Sequence, residues 1–369
     1  MNPKTNLTEL RVFPLAERTS LARVEDILVN PEDSAPPCSR QAQQTIEQCA
    51  AEVAAARARG AAVILMYGAH LLRNGASLIM EAMIKGGWLT HLATNGAGVI
   101  HDWEYAFLGR STEDVRANVA SGTFGTWDET GRYFNLAALI GGIEARGLGK
   151  AMGQLIAAEG LNIPDPKHLA HAIRERPDHR LSSARADLLY AIRQHDIKPG
   201  WHAVPHPWKH SSVICQAYLA KIPLTVHPGI GYDIISNHPW FNGAAIGRGA
   251  GIDFARIVEA VEGLDGGVVM SIGSAIMAPQ VFEKSLSCVN NLRIQKGRTA
   301  VKNHRIFVVD LQDGGQWDWQ HGEPPKSSPA YYLRFCKSFS RMGAPMHYAE
   351  CDNLVYLHNL YARLKATHP

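Results

Sequence analysis

The chain has 369 residues, with 37 Lys and Arg against 34 Asp and Glu and a formal net charge of +3. That near-balance, without a basic run, excludes a dedicated nucleic-acid binder. With 46% hydrophobic and 19% charged residues, the chain can bury a sizeable core and is not disordered. The unusual count is 17 histidines, against 6 cysteines. Histidine titrates near neutrality and is the commonest metal ligand, so these side chains point to a metal, a catalytic site or plain packing.

The first ten residues are polar and lack the apolar core of a signal peptide. No stretch approaches the roughly 18 uninterrupted apolar residues of a membrane helix. Cys38, Cys49, Cys215, Cys288, Cys336 and Cys351 are scattered, without a CxxC pair. The expectation is a cytoplasmic protein with free thiols and no membrane partner.

Residues 1–38 are proline-rich and weakly periodic, and read as an N-terminal arm. An Ala-, Gln- and Glu-rich helix follows from Ser39 to Arg59 and stops at Gly60. Ala61–Tyr67 is a continuous apolar run, as expected of a strand buried on both faces. Asn74–Lys85 reads as a helix and Trp88–Thr94 as a second strand. Gly98–Leu108, Thr112–Ala120, Phe134–Gly160, 166–176 and 182–195 read as helices, with an insertion at about 110–200.

The second half alternates. Helices are predicted at Ser211–Ala220, Phe254–Val261, Pro279–Asn291, Pro329–Arg341 and Asn353–Ala366. Strands are predicted at Ile222–His227, Gly267–Ile272, His304–Asp310 and Pro345–Ala349. The pattern predicts one α/β domain over 39–369: a doubly wound, mostly parallel sheet with helices on both faces, Rossmann-like. In such sheets ligands sit beyond the carboxyl ends of the strands.

Those ends are glycine-rich. They read Gly68-Ala69-His70 with Asn74-Gly75, Thr94-Asn95-Gly96-Ala97-Gly98, His227-Pro228-Gly229 running on to Asp233, Gly273-Ser274-Ala275, and Asp310 followed by Gly314-Gly315. Glycine lets backbone N–H groups approach a phosphate closely, and helix N-termini add a favourable dipole. Several such turns at one sheet edge favour nucleotide binding over simple tight turns.

The order of these motifs resembles the deoxyhypusine synthase family, over about residues 40–366. Leu65–Gly109 is similar to that family's first nucleotide-binding stretch, KIPLTVHPGIGYD to its Asp-bearing loop, and VVMSIGSAIMAP to its glycine-triplet strand end. Lys337 stands as far after Pro329 as the family's catalytic lysine stands after its proline. The resemblance implies an NAD-binding fold and a homo-oligomer, tetramer or dimer. It implies NAD held by Ala69, His70, Asn74, Gly75, Thr94–Gly98 (Thr94, Asn95, Gly96, Ala97, Gly98), Asp233, Gly273, Ser274, Ala275 and Asp310. The chemistry implied is dehydrogenation of an amine to an imine and transfer through a Schiff base on Lys337.

The pocket positions depart from the family. Tyr331 and Phe335 replace a glutamate and a tryptophan, Pro279 a histidine and Glu283 an asparagine. Trp317 and Asp318 lie in a loop that replaces a glycine-serine one. These changes imply a different amine substrate from the family's translation-factor reaction.

The residues also carry their own chemistry. His101, Asp102 and Glu104 follow a strand end, as does His227, and His238 lies close behind; the histidines are candidate proton acceptors and the carboxylates candidate substrate contacts. His101, Asp102, His227 and His238 would equally serve a metal-dependent hydrolase or lyase. A third reading is a non-catalytic NAD-binding protein. His202, His206 and His210 recur every four residues, but Pro205 and Pro207 interrupt any regular helix there.

Overall fold

The computed structural model describes residues 5–315 and 317–367; the first four residues of the predicted arm, and Gln316, lie outside them. The chain divides into two compact units. One holds the described residues up to Asp26 together with Val99–Leu219 and Pro228–Asp253, and the sheet unit holds Ile27–Gly98, Ala220–His227 and the chain from Phe254 onward.

The sheet unit carries six parallel strands: β1 (Val63–Tyr67), β2 (His91–Asn95), β3 (Leu224–His227), β4 (Val268–Ile272), β5 (Arg305–Asp310) and β6 (Met346–Glu350). Their spatial order is 3-2-1-4-5-6, the order of a doubly wound nucleotide-binding sheet. β1 and β4 lie side by side at its centre, Val63–Tyr67 opposite Val268–Ile272, and every residue of both is buried. Runs such as VILMY and VVMSI form these strands because branched and apolar side chains fit a sheet covered on both faces.

Side chains alternate across the sheet. On one face Ile64, Met66, Val269, Ile306 and Val308 join a core with Phe282, Phe335 and Phe339. Helix Arg40–Ala58 also packs on the sheet, and it carries the closing helix Asn353–Thr367. No described helix is long and apolar enough to cross a membrane.

The other unit is mainly helical. Asp128–Ile143 packs on Leu148–Ala158, which packs on Val213–Leu219. Two small antiparallel ribbons complete it, Ser20–Arg23 with Arg110–Glu113 and Gly160–Ile163 with Gly200–Ala203. The residues read as a helical insertion all fall in this unit.

Several boundaries differ from the sequence reading. Phe134–Gly160 is two helices, broken where Ala145 takes a φ of +55°, and Gly160 already begins a strand. Thr112–Ala120 starts as strand; Asp114 then caps helix Val115–Ser121 through the Ala117 amide at 2.9 Å. Pro329–Arg341 divides into a 3-10 turn, Pro329–Tyr332, and helix Arg334–Ser340. Phe254–Val261 is the end of a longer helix, Gly243–Glu262, whose glycine-rich start masks its helicity in sequence. The predicted arm includes the strand Ser20–Arg23 and the short helix Val24–Ile27.

Candidate functional site

In a sheet of this order, the connections from β1 and β4 leave towards opposite faces, and a crevice opens between their carboxyl ends. The two turns that flank it nearly touch. A Cβ on Gly68 would lie 2.2 Å from the Gly273 carbonyl oxygen. A Cβ on Gly273 would lie 2.5 Å from Asn353 Nδ2, and Gly273 has a φ of +61°, a conformation that favours glycine. Asn353 opens the closing helix, is 5% exposed, and its Oδ1 accepts no hydrogen bond.

The neighbouring strand ends are tied down. Thr94 Oγ1 donates to the Tyr67 carbonyl at 3.0 Å, which joins the end of β2 to β1. Asn95 Oδ1 accepts from the Gly98 amide at 2.8 Å and so caps helix Gly96–Leu108. Buried Ser274 accepts from the Ala278 amide at 3.3 Å, at the start of helix Met277–Gln295. Helix Gly96–Leu108 begins directly at the end of β2 and helix Met277–Gln295 a short turn after β4, and each N-terminus has the amide-rich polarity that suits an anion.

Ala69, His70, Thr94–Gly98, Gly273, Ser274, Ala275 and Asp310 all lie at the carboxyl edge of this sheet. Asn74 and Gly75 close the short helix after β1, where Gly75 packs on Ile27 and accepts from the Val29 amide at 3.1 Å. Asp310 Oδ1 is occupied by the amides of Leu311 and Gln312, at 2.8 and 3.3 Å. Asp233 belongs to the other unit, where its carboxylate accepts from the Gly229 amide at 2.7 Å.

Lys337 and Tyr331 come together. Lys337 Nζ sits 3.7 Å above the Tyr331 ring centre and 3.6 Å from the Glu323 carboxylate. Phe335, expected at a pocket, instead fills the core beside Tyr348, because its side of the helix faces inward. Glu283 is exposed and pairs with Lys284. Trp317 Nε1 donates to the Gly322 carbonyl, and Asp318 caps the turn Trp319–His321.

His227 ends β3 and shares the Thr225 hydroxyl with His91, at 3.0 and 3.1 Å. Burial pushes His227 down to about 4; burial, then the nearby His227, pushes His91 down to about 3. His238, in the other unit, is 2% exposed, accepts from the Trp240 amide, and is pushed down to about 4 by burial, then Arg132 and His195. Both candidates stay neutral through most of the acid range.

Asp102 and Glu104, expected at a substrate pocket, are enclosed in the helical unit. Asp102 accepts from the Ser212 hydroxyl and the Val213 amide, and burial raises it to about 7. Glu104 takes a bidentate pair from Arg18, at 2.8 and 2.7 Å, with further hydrogen bonds from Thr130 and Ser111. The Arg18 charge and these bonds outweigh desolvation and hold Glu104 below the usual carboxylate range. His101 Nδ1 meets the Ser111 hydroxyl at 2.7 Å.

His202 lies in strand Gly200–Ala203, His206 is buried against Trp103 and Phe107, and His210 lies in a 3-10 turn. Among the described residues, no group of three or more His, Cys, Asp or Glu comes together to hold a metal ion. Gly68 was read as part of the first glycine-rich strand end, whereas Asn353, Arg18 and Ser111 were missed, because they meet their partners only through the fold.

No known family profile matches the chain, and no curated protein matches its sequence. Solved structures with some likeness include unliganded AgrE, at 14% identity and a TM-score of 0.44, covering 90% of this chain. The chain spans 34% of AgrE, which has also been solved in a ternary complex with ornithine and NAD+. A LOR/SDH-type protein of Methanococcus maripaludis S2 aligns at 13% identity and 0.42, covering 92% of this chain and 74% of its own. A deoxyhypusine synthase-like protein of Entamoeba histolytica aligns at 10% identity and 0.34, covering 83% and 76%.

Proposed function

We propose that this chain is an NAD-dependent enzyme of amine chemistry, with the dinucleotide bound at the β1–β4 crevice. The observation that carries the cofactor is the paired glycine turn. Gly68 and Gly273 let two turns meet closely where a Cβ on either would clash, at the switch point of a 3-2-1-4-5-6 sheet, beside the unsatisfied Asn353 Oδ1. Gly68, Thr94–Gly98, Gly273–Ala275 and Asn353 would hold the group, which when bound accepts a hydride.

The reaction extends the sequence resemblance. An amine that has lost a hydride and a proton is an imine. Lys337 Nζ attacks its carbon, the original nitrogen leaves as the free amine, and the carbon fragment passes from Lys337 to an acceptor. Glu323 takes the proton that Lys337 must lose before attack, and the Tyr331 ring face holds the amine in place. The chain acts as a homo-oligomer on a small amine.

The test supplies a panel of diamines and polyamines with NAD, follows NADH absorbance, and traps with borohydride. The expected result is amine-dependent NADH and a reduced adduct on Lys337 by peptide mass spectrometry. Full turnover in Lys337→Ala contradicts the covalent step, and NADH formation from no amine contradicts the reaction.

A further inference from the structure

The helical unit holds a small cavity that the reaction above does not use. Helices Asp128–Ile143 and Leu148–Ala158 wall it, and the ribbon of Gly160–Ile163 with Gly200–Ala203 contributes the remaining side. Small residues at helical spacing leave the space open: Ala137 and Gly141 on the first helix, Ala151 and Ala158 on the second. The cavity measures about 170 Å³. A cavity of about 150 Å³ admits a benzene ring, so the body of any ligand here is limited to about that size.

The lining is apolar on one side and polar on the other. Ile140 and Leu155 are buried in its wall. Trp201 stands opposite Asn162 across the ribbon and keeps 58% of its surface exposed. A Cβ on Gly160 would lie 2.4 Å from Trp201 Cζ2, so the glycine is what lets the indole rest against that strand. Among the described residues, Glu144 is the one ionisable group in the lining. It sits just past the carbonyl end of helix Asp128–Ile143, where the dipole favours positive charge. Arg146 Nη1 lies 2.9 Å from Glu144 Oε2 without forming a hydrogen bond, and Glu144 Oε1 has no partner among the described residues. The side-chain amides of Gln154 and Asn162, also in the lining, make no hydrogen bond to a described residue. A carboxylate and two open amides beside an apolar space and an indole suit an ammonium group on a compact apolar body.

We propose that this cavity is a binding site for a small organic cation. Its apolar body lies between the two helices and against Trp201, and its ammonium group lies on Glu144 and the amides of Gln154 and Asn162. Every lining residue belongs to the helical unit, whereas the β1–β4 crevice belongs to the sheet unit, so this site does not rest on the cofactor reading.

The test uses the full chain labelled with 5-fluorotryptophan, with Trp201→Phe supplying the assignment, followed by fluorine NMR. Benzylammonium is expected to shift the Trp201 signal saturably. Benzyl alcohol, which has the same shape without the charge, is expected to bind several-fold more weakly. Glu144→Gln should bring the two affinities together. Ala158→Leu fills the space from an exposed position and should abolish the shift while leaving the circular dichroism unchanged. No saturable shift in the unaltered chain overturns the site. Equal affinity for benzyl alcohol, or an undiminished preference for benzylammonium in Glu144→Gln, overturns the cation assignment. Unchanged binding in Ala158→Leu puts the ligand outside the cavity and overturns the proposal as well. The titrations contain no NAD and follow no turnover, so their failure is distinct from failure of the cofactor reading.

Discussion

Arg18 and Glu104 have side chains only 2% and 0% exposed, and their pairing makes a direct stability prediction. Removing one partner leaves the other charge buried and alone. Arg18→Met should cost about 3–5 kcal/mol, read as a fall in the denaturant midpoint. A cost under about 1 kcal/mol would show that water reaches Glu104. The titrating side chains make a second one. His206, His227, His238 and His304 are each pushed down to about 4, and His91 to about 3, mainly by burial. Their contribution is complete above the ordinary value of 6.5 and is lost as pH falls towards 4. Asp102 runs the other way, since its raised value favours the folded state at low pH and loses that contribution as pH rises to about 7. Five groups outweigh one, so stability should fall between pH 6.5 and 4, and Asp102→Asn should steepen the fall. A flat profile over that window contradicts the burial of these histidines. At this scale the sequence was least legible. It showed that His101 and Glu104 follow a strand end, but not that Arg18, 86 positions away, would enclose Glu104.

Asn95 shows how an element begins. Its side chain takes the Gly98 amide at 2.8 Å, directly where β2 gives way to helix Gly96–Leu108. Asn95→Ala should cost about 1 kcal/mol and Asn95→Asp almost nothing, measured by chemical denaturation. Equal losses in both would mean that the cap does not support the helix. Elements were the most legible level. The apolar runs at β1 and β4 stood out because a strand covered on both faces needs no alternation. Helices rich in glycine or broken by a left-handed residue were misjudged, as at Gly243–Glu262 and Ala145, because tertiary packing overrides propensity there.

For the whole molecule, the strand–helix alternation conveyed a parallel sheet, but not its order. That order depends on β3, which follows β2 only after residues 96–223. The chain divides into two compact units, and the tryptophans are unevenly shared: Trp103, Trp127, Trp201, Trp208 and Trp240 fall in the helical unit. Unfolding followed by tryptophan emission should therefore part from unfolding followed by far-ultraviolet circular dichroism. Coincident curves would make the chain a single cooperative unit. The central claim is that the crevice between β1 and β4 holds a dinucleotide, and titration calorimetry with NAD tests it most directly. The account predicts saturable binding of one NAD per chain, abolished by Gly68→Val in protein that keeps its circular dichroism. Absence of saturable heat in the unaltered chain, or unchanged binding in Gly68→Val, would contradict it.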